Sequence, residues 1–359
     1  MTLKILGSIF LIVAIFLVVM VLYNYSNKDQ TPLLFSPTQV LNTTWDNYKR
    51  DNLETGTFRT LDKQRNYITT SEGQSYTMLR AVWQGDKQTF DKSWLWTKNN
   101  LQHKKDDALF AWLFGKQANG SYGILTGEGG STSASDADSD IALSLIFAYA
   151  RWQDSHYLDD ARRIIGDIWN KDVVIINGVP YLAADNLEKT STSSQVLVNP
   201  SYISPYAYRI FATIDSSHPW SSLIDSSYVL LEQSIAASLG KQRSAGLPPD
   251  WVSIDRVTGE LAAPPTTLTT VNYGYDAMRV PFRLALDYQW FKDPRDKKLL
   301  DMMSFLYEIG QSSPRGINPS KRKLIKQMYA RQKEEIFAYT EKAKLDQEKV
   351  DKFLKSMKL

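Results

Sequence analysis

Three carboxylates, Asp136, Asp138 and Asp140, stand at alternate positions at the head of an apolar run that ends at Trp152. In that run Ile141, Ala142, Leu145, Ile146, Ala148, Tyr149 and Trp152 recur at the i, i+3, i+4, i+7 spacing of a helix. The acids are therefore expected on the loop and first turn of a buried helix. In the plainest reading they are an acidic cap, accepting from free N–H groups and suiting the dipole. The loop before them, Gly-Glu-Gly-Gly-Ser-Thr-Ser at 127–133, points further. Glycines let a backbone approach another surface closely, and acids on such a rim above a packed helix make a site for a polar ligand. Two more acids stand in telling places. Glu72 follows Ser71 in the first turn of a helical segment, where an acid favours the dipole. Asp276 begins another, and as plain structure reads as an N-cap paired with Arg279 or Arg283.

Composition narrows the chemistry. The 359 residues suffice for one large domain or two ordinary ones, and 43% hydrophobic content allows a sizeable core. There are 10 Trp, 19 Tyr and 14 Phe; many will be core, but a surplus of Trp and Tyr beside acids also suits stacking on sugar rings. A net charge of +3 gives no footprint for nucleic acid. The absence of Cys removes disulfides, Cys-ligated zinc and Cys catalysis, and three His without a ligand-spaced pair leave a transition-metal site without support. No metal and no cofactor are expected.

The elements that must hold these residues are mostly helical. Helical patterns run over 71–83, 90–101, 107–116, 140–153, 157–170, 202–213, 221–239, 276–290 and 298–309, with an earlier stripe at Val40, Leu41, Trp45 and Tyr48. The segment at 71 opens Ser-Glu-Gly-Gln, a capping-box pattern. The one clear strand signal is a hairpin, 173–176 with 179–182, around Asn177-Gly178. An all-α domain follows, with too many helices for a simple bundle. Lys4 precedes an uncharged, mostly aliphatic run over 5–23, about 28 Å as a helix, which is expected to be an N-terminal transmembrane anchor at 1–30 with the domain outside. A cleaved signal peptide, with secretion, is the alternative. Residues 319–359, rich in Lys, Glu and Asp, read as a charged helical extension, either a solvated surface helix or a partner-binding tail.

The stretch from Ala134 to Trp152 resembles the signature of glycoside hydrolase family 8, the inverting endoglycanases, across nineteen positions without a departure. Two more segments agree in identity and order. Ser71-Glu72-Gly73-Gln74-Ser75-Tyr76 resembles the segment that carries the family's general acid, and Tyr275-Asp276-Ala277-Met278-Arg279 the one that carries its general base. The resemblance spans about residues 40–315 and implies an (α/α)6 barrel, a six-hairpin toroid, over 31–318. It implies Glu72 as proton donor, Asp276 as the carboxylate that activates water, and Asp136 as the central acid that holds the sugar in a distorted ring. Glu72 would need a pKa raised by burial or a like charge. Arg279 would orient Asp276 and keep it ionised. Trp112, Tyr202, Tyr208, Tyr275, Arg279 and Asp138 complete the implied substrate-binding set, although Asp138 and Asp140 also read as structural acids of the turn.

The function implied is hydrolysis of a β-1,4-linked polysaccharide outside the membrane by a monomer, with a cellulose-like polymer or exopolysaccharide as substrate and its synthesis machinery as a candidate partner. Two other readings differ in kind. One is a polysaccharide-binding or export accessory protein that lost catalysis, against which the presence of all three acids weighs. The other is a lyase on the same helical barrel, which would need a Tyr or His base beside a neutralised uronate.

Overall fold

The structure, a computed structural model, describes residues 37–104, 106–239, 246–265 and 271–304. The expected anchor at 1–30 and the charged extension at 319–359 lie outside the described residues. Among the described helices none is long and apolar enough to cross a membrane. The chain divides into two compact units, Met1–Thr43 and Thr44–Leu359, and the residues of the site all lie in the second.

Helices dominate. They are α1 (Pro37–Asn52), α2 (Ser71–Gln84), α3 (Lys87–Asn100), α4 (Ser135–Trp152), α5 (Ser155–Asp167), the short α6 (Leu187–Thr190), α7 (Pro205–Ile214), α8 (Trp220–Ala236), α9 (Arg279–Phe291) and α10 (Pro294–Met302). Four successive pairs, α2 with α3, α4 with α5, α7 with α8 and α9 with α10, pack as hairpins, while α2 also packs on α4 and α7 on α9. This succession fits the expected (α/α)6 barrel. Helix α4 is central: every residue from 135 to 146 is buried, the mark of a helix enclosed on all sides. Each of Ile141, Leu143 and Leu145 is fully removed from water, which contributes about 1.5–3 kcal/mol per side chain.

A buried polar lock ties α4 to α9. Arg283 donates from Nη1 and Nη2 to the two oxygens of Asp140 at 3.1 and 2.9 Å, and Tyr206 Oη accepts from Nη1 at 2.8 Å. Asp140 is thus the structural acid, and Arg283 is its partner rather than that of Asp276.

Short antiparallel strands join the helices: β1 (Thr69–Thr70), β2 (Gln102–Lys104), β3 (Asp107–Phe110), β4 (Leu113–Lys116), β5 (Tyr122–Ile124), β6 (Val173–Ile176), β7 (Val179–Leu182), β8 (Gln195–Val198), β9 (Val252–Asp255) and β10 (Leu261–Ala262). The β6–β7 hairpin occurs as its sequence requires, with Asn177 and Gly178 both at positive φ. The other small sheets run β1-β4-β5, β10-β9-β8 and β2-β3. The helix expected at 107–116 is instead β3 and β4. From Ala108 to Gly115 every residue but Trp112 is buried, so the two strands share a continuous run without polar alternation. Periodicity cannot distinguish such a run from a buried helix, and the pairing of β3 with β2 and of β4 with β1 and β5 decides it. The last described helix ends at Met302, and residues 305–309 of the pattern expected to 309 lie outside the described residues.

Candidate active site

Helix α2 presents Glu72. The N-cap is Thr70, whose Oγ1 accepts the Gly73 N–H at 3.0 Å, so the capping box expected from Ser71 does not form. Gln74, its other half, points inward and donates to Thr97 Oγ1 at 2.8 Å. Glu72 is left in the first turn with its carboxyl about two-fifths exposed. The neighbouring N–H, that of Ser71, donates to the Trp112 carbonyl at 3.0 Å. The Trp112 indole in turn donates to the Gly129 carbonyl at 2.9 Å. The glycine-rich loop therefore adjoins the Glu72 end of α2, and Gly130 shows why glycine is needed there. A Cβ at that position would lie 2.8 Å from both the Leu113 and Leu125 carbonyl oxygens.

Helix α4 presents Asp136. The helix begins at Ser135, five residues before the apolar pattern implied, so Asp136 and Asp138 lie in its first turn. No side chain caps it, and the N-cap residue is Ala134. The acids are therefore first-turn residues rather than the N-cap itself. Asp136 is wholly buried, with Oδ1 on the Ala137 N–H at 2.8 Å. Asp276 lies in the turn before α9, not at its cap, which is Met278. Its Oδ2 accepts from Asn199 Nδ2 at 3.2 Å.

Arg279 brings the three acids together. Its Nη1 stands 2.7 Å from Glu72 Oε1 and 3.1 Å from Asp136 Oδ2, and its Nη2 2.9 Å from Asp276 Oδ1. Nη1 also donates to Tyr76 Oη at 3.1 Å, and the guanidinium lies 5.5 Å from the centre of the Tyr202 ring. Tyr202 packs edge-on against Trp251. One cation thus serves three carboxylates, which leaves the site short of positive charge. The consequence falls on the most buried acid. Burial, and then the charge of Glu72, push Asp136 up to about 7 despite Arg279 and Arg283. Burial also raises Asp276, opposed by Arg279 and reinforced by Asp250. Burial and Glu72 hold the Tyr76 hydroxyl far above its ordinary value.

Of the implied substrate-binding residues, Arg279 and Tyr202 adjoin the acids, Trp112 lines the loop beside Glu72, and Tyr275 projects almost fully into solvent one residue from Asp276. Two do not belong. Asp138 is fully buried and turned away, its Oδ1 accepting the Phe110 N–H at 3.1 Å; burial and the nearby Asp172 push its carboxyl well up. Tyr208 is also fully buried, stacked on Trp220 and packed against Phe211 in the core. Three residues close to the acids had no role from the sequence: Tyr76, Asn199 and Asp250. Tyr76 lies one helical turn after Glu72, a spacing that places both on one face. Asn199 and Asp250 lie in segments, Asn199-Pro200-Ser201-Tyr202 and Gly246-Leu247-Pro248-Pro249-Asp250-Trp251, that also resemble the family, but the resemblance gave neither of them a role.

Glu72, Asp136 and Asp276, all gathered on Arg279, can supply the pair of carboxylates a glycosidase requires. The comparisons with known proteins agree. Residues 25–348 match the family described as Glycosyl hydrolases family 8. The chain belongs to that family. The match runs past residue 315, where the sequence reading let the resemblance end, well into the charged segment. The chain is 30% identical over 284 residues to Endoglucanase 2 of Ruminiclostridium josui, covering 77% of this chain and 56% of the relative. It is 30% identical over 265 residues to an endoglucanase of Escherichia coli K12, covering 72% of this chain and 65% of the relative. The chain thus spans about half the length of the first of these curated relatives. Among solved structures, an endo-beta-1,4-glucanase of Acetobacter xylinum superposes with a TM-score of 0.62 at 27% identity, over 77% of this chain and 80% of that one. The fold of this family 8 chain is therefore that of solved glucanases.

Proposed function

We propose that the protein is an inverting endo-acting hydrolase of β-1,4-linked glucan. The observation that carries this reading is the convergence of Glu72, Asp136 and Asp276 on Arg279. Glu72 donates its proton to the glycosidic oxygen as the bond from that oxygen to the anomeric carbon breaks. Asp276 takes a proton from a water molecule, whose oxygen attacks the anomeric carbon from the opposite face. Each carboxyl changes protonation once per turnover, and both reset by exchange with solvent. Buried Asp136 supports the distorted ring and the positive charge that develops on it. Tyr202, Trp112 and Tyr275 supply apolar faces for the pyranose rings. The relatives named as endoglucanases support glucan as the polymer.

The apolar run over 5–23, following Lys4, supports a membrane anchor with the domain outside. A tethered hydrolase there acts on the producer's own exopolysaccharide, beside the machinery that makes it. The test is turnover on a panel of purified β-1,4 polymers with product analysis, with Glu72→Gln as control. Soluble cello-oligosaccharides from wild type only support the reading. Binding without turnover on every polymer contradicts it and favours an accessory protein, whereas products with an unsaturated sugar absorbance contradict it in favour of a lyase.

A further inference from the structure

The turn that carries Asp276 is built on a buried acid that the reaction itself does not use. Asp250 is 8% exposed. Its Oδ1 accepts two backbone N–H groups, Gly274 at 3.0 Å and Ala277 at 2.8 Å, which bracket Asp276. Its own N–H donates to the Asn272 carbonyl at 2.8 Å. One residue thus grips the turn at three points ahead of the first residue of α9, beside the turn's own bonds from the Met278 N–H to the Gly274 carbonyl at 3.3 Å and from the Arg279 N–H to the Asp276 carbonyl at 3.0 Å. The fit is close: a Cβ at position 274 would lie 2.2 Å from Asp250 Oδ2, so only glycine serves there. Removing the grip leaves two N–H groups without their acceptor and frees the backbone under Asp276.

We infer that Asp250 is a positioning residue for the general base, fixing the turn so that the Asp276 carboxylate meets both Arg279 and the attacking water. Its negative charge acts on Asp276 as well. Asp276 faces Arg279 on α9, Asp250, Asn199 and Glu72 on α2; of these, Asp250 and Glu72 oppose its ionisation, while Arg279 and Asn199 favour it. The inference rests on the reading of Asp276 as base.

The experiment compares Asp250→Ala and Asp250→Asn in the full-length protein, measuring kcat, KM and the pH profile of kcat/KM on a soluble β-glucan. Alanine removes grip and charge together. The expected result is a kcat lower by about 10²-fold, the scale of an ångström-sized misplacement, with KM little changed. Asparagine keeps an oxygen that can accept both N–H groups but removes the charge. It is expected to retain most of the plateau rate while its acid limb moves to lower pH, because Asp276 then ionises more easily. In an Asp276→Asn background, Asp250→Ala should cause no further loss. An unmoved acid limb in Asp250→Asn overturns the inference, whether or not the alanine variant folds. So does an alanine variant that folds and keeps a wild-type kcat. If Asp276→Asn itself remains active, the reading of the base has failed instead.

Discussion

Arg279 Nη1 and Glu72 Oε1 stand 2.7 Å apart, and the same guanidinium holds Asp136 and Asp276. Glu72 and Asp276, the proposed acid and base, are therefore both tied to one residue, and substitutions there separate charge from geometry. Asp276 must be ionised to accept a proton, so activity is lost as pH falls through its pKa. Arg279 is the foremost influence that favours its ionised form. Arg279→Gln should lower kcat/KM by about 10²-fold or more and move the acid limb to higher pH. Arg279→Lys keeps a charge without the planar fork, so its rate should fall with a smaller displacement of the limb. An unmoved limb in the glutamine variant contradicts this arrangement.

Glu72→Gln and Asp276→Asn retain side-chain shape but cannot exchange the required proton. Each should reduce turnover by about 10²–10⁴-fold. Binding of an inert oligosaccharide should persist, because Tyr202 and Trp112 are untouched, and circular dichroism should match wild type. Near-normal turnover by either variant removes that residue from its role.

Asp136 links activity to stability. Its carboxyl titrates near 7 when folded, against about 3.9 when unfolded. Between these values the folded chain binds the extra proton, so the Asp136 contribution favours folding at low pH and is lost as pH rises through about 7. Asp136→Asn, which never ionises, should be inactive yet gain stability relative to wild type on going from pH 4 to pH 8. Urea midpoints at both pH values check this. A constant difference between the two proteins contradicts it.

The buried Asp140–Arg283 pair should behave differently from the catalytic acids. Both side chains are about 3% exposed, and breaking such a pair by removing one partner costs about 3–5 kcal/mol. Asp140→Asn should lower the urea midpoint strongly, with residual activity in proportion to the folded fraction. A stable but inactive variant would instead place Asp140 in the chemistry.

What the sequence revealed was local. Glu72, Asp136 and Asp276 each sit in a short segment of distinctive residues, and helices such as α2, α4 and α8 have apolar stripes that show within a few turns. Where pairing over distance decides the structure, the sequence was silent. β3 and β4 are strands because β2, β1 and β5 lie beside them, not because of their own pattern. Tyr208 resembled a sugar platform but is enclosed by Phe211 and Trp220, which only the packing of α7 on α8 reveals. Tyr76 and Arg279, 203 positions apart, meet only in the folded chain, as do Asn199 and Asp276, 77 apart.

The division of labour between Glu72 and Asp276 is tested most directly by the first product of hydrolysis. If Glu72 protonates the leaving oxygen while water activated by Asp276 attacks the opposite face, no covalent glycosyl-enzyme forms. Proton NMR in the first minutes of turnover on a soluble β-1,4-glucan, before mutarotation mixes the anomers, reads the configuration at the new reducing end. The account predicts the α-anomer. A β-anomer as first product would contradict it, and would require one of the three carboxylates on Arg279 to act as a nucleophile.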